Sequence, residues 1–161
     1  MSQKRVLSAG RYVSLRFAIT DITAVFTCDN KMEMFADGVS LATDDDWKSS
    51  MEYVIPGNTR VISVSGVDWG AQFGILGSLS NGMVTNASWK CNTAEYSGWK
   101  SPDFDDSNWP AAVEVAKHGD NPWGNIAGIA STAKWIWTAG DPDIVYCRLK
   151  LHSENLATAS R

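Results

Sequence analysis

Acidic and indole side chains recur together in this chain at spacings that neither a helix face nor a strand face explains. Asp29 and Asn30 follow an apolar run, Asp44, Asp45 and Asp46 precede Trp47, and Asp68 precedes Trp69. Carboxylate and amide oxygens beside an indole suit a sugar, whose apolar ring face lies on the aromatic plane while its hydroxyls meet the oxygens. Clustered carboxylates repel one another unless a cation or water separates them, and calcium accepts about six to eight oxygen ligands. The expected metal ligands are Asp29, Asn30, Asp44, Asp46 and Asp68, in a shell left partly open to vicinal sugar hydroxyls. The expected sugar-facing set is Asp29, Asn30, Asp44, Asp45, Trp47, Asp68 and Trp69. Trp123, within Asn121-Pro122-Trp123-Gly124, is a further candidate for the rim. Each part also has a plainer reading: the 44–47 run as a solvated acidic turn, Asp29-Asn30 as an Asx turn, Trp69 as a core residue.

Other chemistries find little support. His118 and His152 stand in unrelated segments, and no GxSxG-type nucleophile motif accompanies either. A carboxylate pair can serve a glycosidase as acid and base, but that reaction favours a deep cleft and a small sandwich offers shallow loop surfaces. A binding protein without catalysis is the expectation. Cys28, Cys91 and Cys147 are too far apart for a CxxC metal or redox motif. They allow one disulfide with a leftover thiol, a bridge between two subunits, or three reduced thiols filling the core.

The elements that must position these residues read as strands. Alternating, β-branched and aromatic stretches recur between Gly, Asn, Asp and Pro clusters, and no helical stripe is sustained. Strands are predicted over 12–19, 22–28, 32–36, 39–42, 51–55, 59–65, 71–79, 133–137 and 144–151. Asp37-Gly38 is a type I′ hairpin signal, Pro56-Gly57-Asn58 presets a turn, and Asn81-Gly82 separates apolar runs. The stretch from about 85 to 130 lacks periodicity and is expected to form long packed loops, with a short helix near 110–117. Trp135 and Trp137 share a strand face by alternation. Asn86-Ala87-Ser88 matches the glycosylation acceptor pattern.

Strand parity then locates the acids. Consecutive antiparallel strands alternate direction, so successive loops alternate ends. The turns at 29–31, 43–48 and 66–70 fall at one end, and the turns at Asp37-Gly38 and Pro56-Gly57 fall at the other. Five aspartates, an asparagine and two tryptophans are thereby gathered on one patch.

Several motifs, in order, carry a family resemblance: "CDN" at 28–30, "MEMFADG" at 32–38, the acidic-Trp loop, "YVIPGNTRVISVSG" at 53–66 and "GILGSL" at 74–79. "NASWK", "GWKSPDFDDSNWP", "PWG", "AKWIW" and "VYCRLKL" follow. The chain resembles the galactose-binding-domain-like jelly-roll over residues 12–151, including galactose-specific lectins of sea anemones and non-catalytic sugar-binding modules. The resemblance implies an all-β antiparallel jelly-roll β-sandwich with long loops in its second half. It also implies a lectin for terminal galactose-containing glycans, with the sugar and any calcium on loops at one end. In "DFDDSNWP", Asp105 and Asp106 are read as organising a turn and Trp109 as packing inward. The competing reading is a calcium-stabilised structural or protein-interaction module of the same fold.

Composition fits one domain over 1–161. The 161 residues are 44% hydrophobic and 20% charged, enough apolar surface to offset the entropy of ordering. The net charge of -4, with basic residues scattered singly, argues against nucleic acid as a partner. No window approaches the roughly 18 apolar residues of a membrane span, and the opening MSQKRVLSAGRY has no apolar core of a signal peptide. The expectation is a mature secreted chain, with a cytosolic one as the alternative. Weak single-site sugar affinity favours a homodimer, which the odd thiol would lock.

Overall fold

The alternation in the sequence is realised as ten strands. The computed structural model describes residues 19–151, and no helix occurs among them. The strands are β1 (Ile22–Asp29), β2 (Lys31–Ala36), β3 (Val39–Asp44), β4 (Met51–Ile55), β5 (Val61–Val67), β6 (Gly74–Leu79), β7 (Lys90–Asn92), β8 (Val113–Lys117), β9 (Lys134–Trp137) and β10 (Ile144–Lys150). They form two five-stranded sheets, β4-β1-β6-β9-β8 and β3-β2-β5-β10-β7, with every described pairing antiparallel. This is the expected β-sandwich.

Between the sheets lies a core that includes Phe26, Met32, Met34, Ile55, Ile62, Val64, Ile75, Trp89 and Trp137. Each large side chain withdrawn from water contributes roughly 1.5–3 kcal/mol. Ala24, Phe26 and Cys28 alternate along β1 into this core, while Val25 packs against a second cluster outside it. Gly77 of β6 is required by packing, because a Cβ there would lie 2.4 Å from the Phe26 ring. The hairpin between β2 and β3 has positive φ at both Asp37 and Gly38, as a type I′ turn demands.

The irregular second half covers the outer faces of the sandwich. Ile126, Ile129, Trp123 and Ala133 pack with Leu76 and Trp135 on the outside of the first sheet. Trp99 and Trp109 pack with Phe35 on the outside of the second. Trp109 therefore points inward as expected, and the Asp105 carboxylate accepts a hydrogen bond from the Ser107 amide at 2.9 Å. Asp106 has a larger role than shaping a turn. Its carboxylate accepts from buried Arg148 Nε at 2.9 Å, and the Arg148 guanidinium also donates to the carbonyls of Trp99, Ser101 and Phe104. Burial pushes the Asp106 carboxyl up, but the hydrogen bonds and charges of Arg148 and Lys150 outweigh it and hold it below its ordinary value.

Several expectations are corrected. Residues 113–117 are strand β8, not part of a helix, because Val-Glu-Val-Ala-Lys after Pro110 finds a ladder partner in β9. The short β7 was missed inside the long loops; it is held by its register with β10. Trp135 and Trp137 are both fully buried, but they belong to different clusters. The strand predicted at 12–19 lies outside the described residues except for Ile19, which is not in a strand.

Cys91 and Cys147 form a disulfide across the β7–β10 pair. Cys28 is left as a buried free thiol. With only 1% of its surface exposed, it is in no position to link two copies, so the covalent dimer that the odd count allowed is not what this fold presents.

Strand β1 starts, and β10 finishes, at the same end of the sandwich. There the Gly57 amide donates to Asp21 and the Leu151 amide donates to the Arg60 carbonyl. The acidic turns lie at the opposite end.

Candidate functional site

The loop end is built by connections that pass from one sheet to the other. Asn30 joins β1 to β2, residues 45–50 join β3 to β4, and residues 68–73 join β5 to β6. Registers place them together: Asp29 lies opposite Gly74, Lys31 opposite Val67 and Asp44 opposite Met32. Hydrogen bonds fasten the turns. The Asn30 amide donates to the Val67 carbonyl at 2.9 Å, and the Trp69 amide donates to Asn30 Oδ1 at 2.7 Å. Thr27 Oγ1 reaches the Asp46 carbonyl at 3.5 Å. The 138–143 loop joins the same end, where the Asp68 amide donates to the Asp143 carbonyl at 2.8 Å. Parity of strand direction thus located the neighbours correctly.

Within that end burial, more than any neighbouring charge, sets the acids' proton affinity. Asp68 sits close enough to Asp29 to raise its proton affinity, although burial is the larger cause and a hydrogen bond from Trp123 opposes both. Burial likewise pushes the Asp44 carboxyl up, the Asp46 and Asp45 amides pull it down, the Asp46 and Asp45 charges raise it again, and its buried Oδ2 has no partner among the described residues. Asp46 accepts from the Lys48 amide and from Ser49 Oγ, and Asp45 is exposed. Among the described residues no three Asp, Glu, His or Cys side chains form a group able to hold a metal. A single shell containing Asp29, Asp44, Asp46 and Asp68 is therefore not gathered. What remains for a hard cation is Asp29 and Asp68, with Asn30 Oδ1 and backbone carbonyls beside them. Asp29 Oδ2 accepts from Trp123, Asp68 Oδ1 from Gly70 and Asn30 Oδ1 from Trp69. Each such oxygen keeps a second lone pair, but two carboxylates and one amide fall short of the roughly six to eight oxygens that calcium takes.

The indoles sort clearly. Of the eight tryptophans, Trp69 alone is exposed, with 64% of its surface open. Trp47 is half-buried against the cluster on the first sheet's outer face. Trp123 is only 8% exposed; its Nε1 donates to Asp29 Oδ2 at 2.8 Å and its ring stacks on Trp135 at 4.5 Å. One edge of it nevertheless lines a cavity of about 500 Å³ with Gln72, Phe73, Asp120 and Asn121. This cavity opens beside the Trp69 loop and was not assembled from the sequence. Its one legible signal was Asn121-Pro122-Trp123-Gly124, whose placement the irregular stretch before it concealed.

A bacterial glycosidase contains a similar piece. The chain is 34% identical to an α-L-rhamnosidase of Streptomyces avermitilis over 78% of its own length, and it spans 14% of that enzyme. The crystal structure of the Streptomyces avermitilis α-L-rhamnosidase complexed with L-rhamnose superposes with a TM-score of 0.62 at 30% identity, covering 73% of this chain and 13% of the enzyme. A lectin from Pleurotus ostreatus in complex with GalNAc superposes with a TM-score of 0.59 at 20% identity, covering 73% of this chain and 36% of the lectin. That second likeness shows the fold alone. No family model matches the chain.

Against this background the geometry has a definite chemical character. The 68–73 loop carries an exposed indole, Trp69, and two residues of the hollow, Gln72 and Phe73; amide and carboxylate groups line that hollow, and its Trp123 donates to the buried Asp29 carboxylate. The arrangement offers stacking and hydrogen bonding to a small polyol.

Proposed function

We propose that this chain is a carbohydrate-binding β-sandwich that holds a terminal monosaccharide at its loop end without hydrolysing it. The observation that carries the reading is Trp69, an exposed indole whose amide is held by Asn30 Oδ1, which follows Asp68 and shares the 68–73 loop with Gln72 and Phe73 of the hollow. The sugar ring stacks on Trp69 and its hydroxyls meet the amides and carboxylates. A calcium ion belongs to the same proposal. Asp29 and Asp68 would hold it, with Asn30 and backbone carbonyls, and its charge would relieve the repulsion between the two acids. Asp44, Asp45, Asp46 and Trp47 shape a neighbouring turn and stand outside the contact set.

L-Rhamnose is the leading ligand, because the 34%-identical relative is an α-L-rhamnosidase and its crystal structure contains L-rhamnose. Galactose-type sugars are the second choice, resting on the motif resemblance. The Cys91–Cys147 disulfide supports an exported chain, since such bonds persist in oxidising compartments. A shallow, open site gives weak monosaccharide affinity, so presentation in more than one copy would make it useful on a glycan surface.

A glycan array probed with and without a chelator tests the whole reading. Binding to terminal L-rhamnose, inhibition by the free sugar, loss on chelation, and loss of roughly tenfold or more in affinity for Trp69→Ala with unchanged thermal unfolding are expected. Binding to galactosides alone would favour the second ligand. Retained binding in Trp69→Ala, or a protein partner unaffected by free sugars, would overturn the site.

A further inference from the structure

At the far end of the second sheet three cations surround one buried carboxylate. Asp106 Oδ2 accepts from Arg148 Nε at 2.9 Å, while Oδ1 faces Lys150 Nζ at 3.1 Å and Lys90 Nζ at 3.6 Å. Register explains the convergence. Arg148 and Lys150 are two apart on β10 and so share a face, and Lys90 of β7 lies directly opposite Arg148. Arg148 is consumed by its four acceptors. The two lysines are not: Lys90 keeps 36% and Lys150 50% of its side-chain surface open. Lys90 Nζ also donates to the Asp106 carbonyl at 2.8 Å, which leaves each ammonium with unused N–H groups.

These groups line a cavity of about 290 Å³, together with Ser88, Met83 and Leu149. One carboxylate balances one of the three positive charges. Asp105, fully exposed beside Lys150, offsets part of the remainder through solvent, where charge pairs are weak. The hollow is thus a cationic recess with hydrogen-bond donors and a hydroxyl, on a protein whose net charge is -4. Local excess charge of this kind, walled on one side by apolar Met83 and Leu149, favours an anion of modest size.

We infer that this recess binds the anionic group, carboxylate or sulfate, of an acidic saccharide, with Lys150 and Lys90 as its cationic contacts and Ser88 as a hydrogen-bond donor. The anion chemistry stands by itself; that the anion belongs to a saccharide rests on the function proposed above. The recess and the loop end lie at opposite ends of β10, whose seven residues span about 20 Å at a rise of roughly 3.3 Å per step. The two sites are therefore separable.

Amide-resolved NMR titration of the oxidised, full-length protein provides the test, with D-galacturonate as probe, methyl galactoside as neutral control and inorganic sulfate as the free anion. Saturable shifts at Ser88, Lys90 and Lys150 with galacturonate and none with the neutral sugar are expected. Lys150→Gln, a half-exposed position that should fold normally, is expected to weaken galacturonate roughly tenfold and leave the L-rhamnose response at the loop end unchanged. No response to galacturonate, or a response to sulfate alone, would overturn the acidic-saccharide assignment. Failure of L-rhamnose with galacturonate binding retained would count against the loop-end site and leave this one standing.

Discussion

Asp29 is the residue on which the loop end turns. It ends β1, is buried, and answers both to Trp123 on one side and to Asp68 on the other. Burial and the Asp68 charge outweigh the Trp123 hydrogen bond, so its carboxyl titrates above the ordinary carboxylate value of about 3.9. The sign of the consequence differs for folding and for binding. A carboxyl with a raised folded pKa stabilises the fold in its protonated form, so that contribution is complete below the unfolded pKa and disappears as pH rises through the folded one. Ligand and cation need the ionised form. Sugar binding is therefore expected to fall on acidification at a higher pH than an ordinary aspartate would give, and Trp123→Phe, which removes the opposing hydrogen bond, should move that midpoint upward. Affinity measured between pH 4 and 7 on both proteins checks it; a midpoint that does not move would remove Asp29 from the site.

At the scale of elements, the segment between β7 and β8 is held to the second sheet by one buried arginine. Arg148 satisfies three carbonyls and one carboxylate that would otherwise be stranded beneath Trp99 and Trp109. Arg148→Met is expected to destabilise the fold by about 3–5 kcal/mol in urea unfolding, because Asp106 loses its buried partner. Lys150→Gln, made on the half-exposed partner, should cost well under that.

The same elements show what a sequence discloses. Period-two runs such as ITAVFTC and MEMFA revealed β1 and β2 because one of their faces must be apolar, and the type I′ signal at Asp37-Gly38 fixed the turn from β2 into β3. Parity revealed which turns meet, since it depends only on alternating direction and survives passage from sheet to sheet. The outer-face segments were opaque. Their tryptophans are spaced by loop geometry, and burial there follows from contacts distant in sequence, such as Trp123 with Asp29. For that reason the sequence could not separate the exposed indole, Trp69, from the buried ones, nor assemble the hollow with Gln72 and Asn121. Nor could it show that the Asp46 carboxylate is taken up by its own turn, accepting from the Lys48 amide and Ser49 Oγ.

For the whole molecule, the Cys91–Cys147 bond closes the second half of the chain onto the sandwich across 56 residues of sequence. Cross-linking a loop of that length removes disorder from the unfolded chain worth about 4 kcal/mol. Reduction, or Cys91→Ala with Cys147→Ala, is expected to lower stability by about that amount in denaturant unfolding, with Cys28 silent to thiol reagents until the protein unfolds. Prompt labelling of Cys28 in the native state would contradict its place under the loop end.

Because residues 19 and 151 both lie at the pole remote from Trp69, a pull applied at either of these two residues acts from behind the loop end. A tether, a surface or a neighbouring module attached there leaves the indole facing outward, as the palm of a hand stays free when the arm is held at the wrist.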